Sequence, residues 1–484
     1  MSNNSIILKN AYLGLSVFFI IYFLIRYHLI GENVSNLEVK SGCLYLLILY
    51  AVSITIWIKV SNRLLTPFTM FFCACFLFNS GQLILYFFDI EIANWFVIVK
   101  HYSSDIMLKM ICFQSLCVIA MTCGALIALN SRTENIMKMQ REYVALEPSN
   151  QKIDVIDIFF GIICVLTIVS FLTSLSMRGS MSYTDYYYSN TSGSNLKSLI
   201  RYIFHILFYY ELIRSKKGKK RSYIIAIGLI IAVLMLLVGS RFNVITIIGG
   251  IIFILLYVHN ESYNVKLWHK CLLVSFGLVA LSLMRGLTYL RNYSLSSISW
   301  TLIKDVYSGG LLNGLYGTLA ECGKSANCLL TTMEQFNQSG VTHEPTLLIS
   351  LLLGFVPSKI ASFFGVPVNI SLSEWVTKLI GTSNGQGYSL FAECFYNMGV
   401  WGFVIMLAVG YAFIRTEKKV FELINTNRVG KIIIACSLIY IMTYAIFLAR
   451  AESILISTPI RRYIYIWFIV MFLYSTRKRR HMHL

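Results

Sequence analysis

Long apolar runs, separated mostly by short polar connections, set the pattern of this chain. A bilayer core about 30 Å thick takes roughly 20 apolar helical residues per crossing. Runs of about that length recur at 10–28, 43–60, 65–88, 107–129, 155–176, 198–213, 222–239, 243–258, 271–290, 389–414, 432–449 and 460–475. The pattern predicts an all-α, polytopic membrane protein with about twelve transmembrane helices. The first run lies beside one early lysine, Lys9, with no small-residue cleavage site after it, so it reads as a retained helix rather than a signal peptide. Ser222 to Val258 holds a single charge, Arg241. That stretch would be about 55 Å long as one helix, too long for one crossing, so it must fold back near Gly239-Ser240-Arg241.

The connections are uneven. Ten are short or moderate, and one runs from about residue 291 to 388. Residues 1–484 therefore read as one membrane domain, with 291–388 as a large loop carrying short interfacial or re-entrant helices. Within it, Thr346 to Val356 is apolar for only 11 residues, between Glu344 and Lys359 and followed by Pro357. That is too short to cross and suits such a helix.

Composition sharpens the class. Apolar residues make up 57% and charged residues 13%, where soluble domains average about 45–50% and 25%. Soluble and disordered chains are both excluded. The formal net charge is +19, which in a soluble protein would suggest nucleic acid. Here cytoplasmic loops that collect Lys and Arg explain it, and no nucleic-acid partner is expected. The densest basic run is 214–221, and placing it inside puts both termini inside. The inner segments then hold 24 Lys/Arg and the longer outer ones 16, with Lys109 within a span. Of 12 cysteines, ten lie in or beside apolar runs; Cys322 and Cys328 share a polar stretch (ECGKSANC) and could pair in an oxidising compartment. No metal-ligand spacing occurs, and no cofactor is expected.

The residues able to carry chemistry are mainly arginines at the expected outer helix ends: Arg241 (VGSRFN), Arg285 and Arg291 (LMRGLTYLRNY), Arg450 (FLARAES) and Arg461 beside Arg462 (TPIRRYIY), with Arg178 in the loop after the fifth span. Charge at the membrane is costly and pairs, snorkels or works. Guanidinium forks suit phosphate oxygens, so a convergent group would seat a pyrophosphate; the plain alternative is side chains that anchor helix ends. Arg285 and Arg291 are six residues apart and share a face only if the helix breaks at Gly286. His343-Glu344-Pro345 reads either as a base and sugar ligand or as a polar helix start. Glu393 opens the tenth span, where it would take a proton from a hydroxyl or pair with an arginine. Tyr388 lies just before it, and Tyr183, Tyr186, Tyr187 and Tyr188 with Asp185 fit either a membrane-interface belt or sugar stacking.

The twelve-span pattern with one large outer loop, together with VGSR, LLGFVPSKI, GQGYSLFAECFYNMGVWGF and FLARAES, resembles the O-antigen and capsule repeat-unit polymerases of the Wzy type. The tract LLGFVPSKI departs from the family's pattern, in which a basic residue commonly follows the proline directly. The resemblance implies a GT-C-like membrane glycosyltransferase of the bacterial inner membrane that needs no metal or nucleotide sugar. Its donor and acceptor would be undecaprenyl-pyrophosphate-linked glycans joined at the periplasmic face. Its expected partners are membrane lipids and the chain-length regulator and flippase of the same pathway. Under it, Arg241, Arg450, Arg285 and Arg291 match the family's outer-face arginines, and Glu393, or His343 with Glu344, would activate the attacking hydroxyl; Arg461, Arg178 and Tyr388, read from the residues themselves, complete the expected substrate and pyrophosphate site. A lipid-linked oligosaccharide flippase and an O-antigen ligase are the competing readings. One long loop and end-placed arginines argue against the flippase.

Overall fold

A computed structural model describes residues 3–91, 102–129, 155–180, 195–215, 217–259, 297–339, 371–381, 387–426, 428–457 and 459–461, with single positions elsewhere. The described residues are helical, with no strand among them. The helices are α1 (Asn3–Leu29), α2 (Asn36–Ser61), α3 (Pro67–Phe87), α4 (Ser104–Ala128), α5 (Val155–Ser180), α6 (Asn195–Arg214), α7 (Lys219–Leu237) and α8 (Arg241–Phe253). They continue with α9 (Trp300–Val306), α10 (Gly310–Cys322), α11 (Ser325–Ser339), α12 (Leu372–Ile380), α13 (Leu390–Met398), α14 (Phe403–Ile424) and α15 (Val429–Ala445).

Among the described residues, eight helices are long and apolar enough to cross a membrane: α1 to α5, α7, the stretch Leu390–Ile424, and Val429–Ala449. This is a multi-pass membrane protein. The count of twelve is reached only in part. The α6 helix has the length but carries Lys197, Arg201, Glu211 and Arg214, and Asn243–Val258 is a shorter apolar helix. The expected spans 271–290 and 460–475 lie almost wholly outside the described residues.

Local chemistry sets the ends. Ser35 and Glu38 close a capping box on α2, and Thr66 caps α3 ahead of Pro67. The fold-back near Gly239 is present: Gly239 takes φ 93°, open to glycine, and Ser240 N–H reaches back to the Met235 carbonyl. The expected tenth span is two helices rather than one. Gly399, at φ 56°, starts a 3-10 turn (Gly399–Gly402), and Gly402 lies against the Cys394 carbonyl with no space for a side chain.

The core forms around α4, buried along almost its whole length. It meets α14 through reciprocal glycines: Gly124 abuts the Leu407 carbonyl, and Gly410 abuts the Met121 carbonyl. Small residues there let two backbones touch, the usual device where lipid offers no hydrophobic drive. Phe71 stacks on Phe413 at 4.9 Å to bring in α3.

Polar contacts at the helix ends sort to two sides. At one, Lys9 donates to Leu129 O (2.6 Å), Arg63 pairs with buried Glu417 (3.4 Å), and Lys220 bridges Asp157 (2.8 Å) and Glu211 (3.3 Å). At the other, Lys40 pairs with Asp89 (2.6 Å), and the helices of 297–381 gather. This second side carries the candidate site.

Candidate functional site

The site is built from the end of α15. A 3-10 turn, Ile446–Ala449, delivers Arg450. Asn79 of α3 donates to Ala449 O at 3.4 Å, and Gln114 of α4 donates to Asn79 O at 3.1 Å. Asn79 is eight residues before the end of α3, about 12 Å at 1.5 Å per residue. Arg450 therefore sits below the helix ends rather than snorkelling past them. Its guanidinium lies over the Phe78 ring, 5.7 Å from the centroid. Gly387 closes the other side: a Cβ there would lie 3.0 Å from Arg450 Cγ and 3.2 Å from Nε. Among the described residues no carboxylate pairs with Arg450.

The three residues after it fasten the segment. Glu452 accepts from Ser371 Oγ (3.0 Å) and Leu372 N–H (2.8 Å), tying α12 of the large loop to the arginine. Burial raises its carboxyl above the usual range, against those two donors. Ser453 gives its N–H to Glu393 Oε2 (2.6 Å) and its hydroxyl to Oε1 (2.7 Å). Arg461 donates to Val356 O at 3.0 Å, and Asn397 donates to Thr346 Oγ1 at 3.1 Å, so both ends of the short apolar stretch are held.

The polar stretch ECGKSANC is not an open loop. It is the turn of a helical hairpin, with α10 before it and α11 after. Gly81 of α3 abuts Leu319 O and Gln82 donates to Ala320 O at 2.9 Å, so the hairpin packs into the outer part of α3. Cys328 donates to Gly387 O at 3.1 Å, and burial pushes its thiol up to about 12. Cys322 and Cys328 lie on different helices and are not joined to each other, so the pairing that the sequence leaves open is not made here.

Several expected site residues take other places. Tyr388 is wholly buried, its phenol bonded to Thr332 Oγ1 at 2.8 Å and raised well above its usual range by burial; it is a strut between α11 and α13, not a ligand on an open face. Arg178 belongs to the last turn of α5 rather than a loop, is 2% exposed, and donates to Tyr293 O at 2.8 Å. Glu393 meets a serine, not an arginine, and both its oxygens are in use. Arg241 opens α8, directly after the Gly239 turn. Arg285, Arg291, His343, Glu344, Tyr183, Asp185, Tyr186, Tyr187, Tyr188, Lys359 and Arg462 lie outside the described residues.

Lys324, in the hairpin turn, is the charged residue that sequence reasoning missed. Burial lowers its ammonium pKa; Glu321 opposes that shift and the Arg450 charge adds to it. Lys324 thus lies within electrostatic reach of both the Glu321 carboxylate and the Arg450 guanidinium. The available signal was Gly-Lys-Ser between two helical patterns.

A family model for the O-antigen polysaccharide polymerase Wzy matches residues 12–481. The chain belongs to this family. As a Wzy polymerase it joins repeat units into O-antigen, and so is an enzyme of the glycosyltransferase kind within polysaccharide biosynthesis. No curated protein and no solved structure matches the chain.

Proposed function

We propose that the chain transfers a growing glycan from undecaprenyl pyrophosphate to the non-reducing end of a new lipid-linked repeat unit, at the periplasmic face of the bacterial inner membrane. The orientation, with both termini cytoplasmic, rests on the basic run 214–221 and on the sorting of helix ends. The reading is carried by Arg450, a guanidinium set below the helix ends with no acid paired to it among the described residues.

In the reaction the bond from the anomeric carbon to the diphosphate oxygen breaks, and its electrons stay on the diphosphate. The acceptor hydroxyl oxygen forms the new bond, and its proton passes to a base. Arg450 faces the charge that grows on the leaving group, which lowers the barrier without a metal ion. Glu393 holds Ser453, and through it Arg450, in place; His343 or Glu344 takes the proton. Arg241, Arg285, Arg291 and Arg461 complete the binding of the two lipid-linked chains, and Arg178 supports the 293 segment. The chain-length regulator and flippase of the pathway are its partners.

The test is Arg450→Ala in the native strain. Lipopolysaccharide should carry at most one repeat unit while the protein remains folded in the membrane, and Arg450→Lys should recover part of the ladder. A full-length ladder from Arg450→Ala at normal protein level would sink this assignment.

A further inference from the structure

Beside Arg450, at the turn between α10 and α11, lie polar groups that the reading above does not use. Gly387 touches Arg450 on one side and gives its carbonyl to Cys328 on the other. Lys324 is one helical turn ahead of Cys328, at the start of the same helix, whose amino end carries a partial positive charge. Next to it, Ser325 is 2% exposed, and its hydroxyl has no hydrogen-bond partner among the described residues. A buried hydroxyl without a partner is uncommon in folded proteins. The turn is fixed against α3 at Gly81 and Gln82, so these groups have a defined position relative to Arg450.

We infer that the hairpin turn is the second half of the anion seat, with Lys324 and the Ser325 hydroxyl taking one phosphate of a lipid-linked diphosphate and Arg450 taking the other. This rests on the reading of Arg450 given above. Two separated cations, each with its own phosphate, grip a diphosphate more tightly than a monophosphate. The turn therefore supplies selectivity for the diphosphate form of the lipid carrier over the monophosphate form.

Calorimetric titration of the purified full-length protein with inorganic pyrophosphate, and separately with inorganic phosphate, tests it at low ionic strength. Lys324→Ala should weaken pyrophosphate on the order of tenfold, as loss of a charge-assisted bond does, and should narrow the preference for pyrophosphate over phosphate. Ser325→Ala should weaken it by a smaller factor, and Lys324→Arg should keep most of the affinity, which also shows that the turn still folds. Lys304→Ala, on an exposed position of α9, reports the general effect of removing one charge and should change nothing. If Arg450→Ala weakens pyrophosphate but Lys324→Ala and Ser325→Ala bind it as the parent does, the hairpin half is wrong and the Arg450 reading stands. If none of the three weakens binding, both fall.

Discussion

At the residue scale, Glu393 shows how burial and partners assign a role. As a free general base it would keep an oxygen for the substrate; here both oxygens serve Ser453. Ser453→Ala and Glu393→Gln should therefore lower polymerisation together, and the double variant should be no worse than the more damaging single one. Thermal unfolding and ladder length, measured on all three, check this; full loss of activity confined to Glu393→Gln, at unchanged stability, would make it the base instead. Lys324 carries a pH signature. Burial and Arg450 hold its ammonium below the ordinary lysine value of 10.5, Glu321 opposes them, and Cys328 is the titratable thiol one turn on. A lowered pKa means charge lost at lower pH, so pyrophosphate binding should fall as pH rises toward 10.5, while Lys324→Arg stays flat. Arg450 was legible in the sequence because an arginine that closes an apolar run on the outer side goes against the charge rule. Lys324 was not, because a basic residue between glycine and serine looks like ordinary loop chemistry until the flanking helices are seen to meet α3.

At the scale of elements, hydropathy located the spans but not their neighbours. Leu390–Ile424 carries enough apolar residues to read as one helix, and the break at Gly399–Gly402 comes from a positive φ and a close backbone approach, which no hydrophobic count records. The α4–α14 contact is likewise invisible in hydropathy, since Gly124 and Gly410 matter for the side chains they lack. Alanine at either position must displace a backbone carbonyl of the other helix. Each should cost about 1–3 kcal/mol or more, seen as a lower unfolding temperature in detergent. Gly14→Ala in α1 meets nothing within 4 Å and should be neutral or slightly stabilising. Equal stability of all three would mean that α4 and α14 do not interlock this way. The ECGKSANC stretch misled for a related reason: its polar residues turn inward to other helices, and only the tertiary contacts show it.

At the scale of the molecule, the two sides of the helix bundle divide the labour. One side holds ion pairs on buried acids, Arg63–Glu417 and Lys220–Glu211; the other holds Lys40–Asp89 and Arg450, which pairs with no carboxylate among the described residues. Reporter fusions should read cytoplasmic after residue 425 and periplasmic within α11. An outer reading after 425 would invert the proposed face of the chemistry. The central claim is that the Arg450 seat holds the departing diphosphate, and polymerisation by the purified protein tests it most directly. Supplied only with lipid-linked repeat unit and a chelator, the parent protein should build a ladder, and the folded Arg450→Ala variant should stop at a single unit. Parent-like ladders from that variant, or none from the parent until metal is restored, would contradict the account.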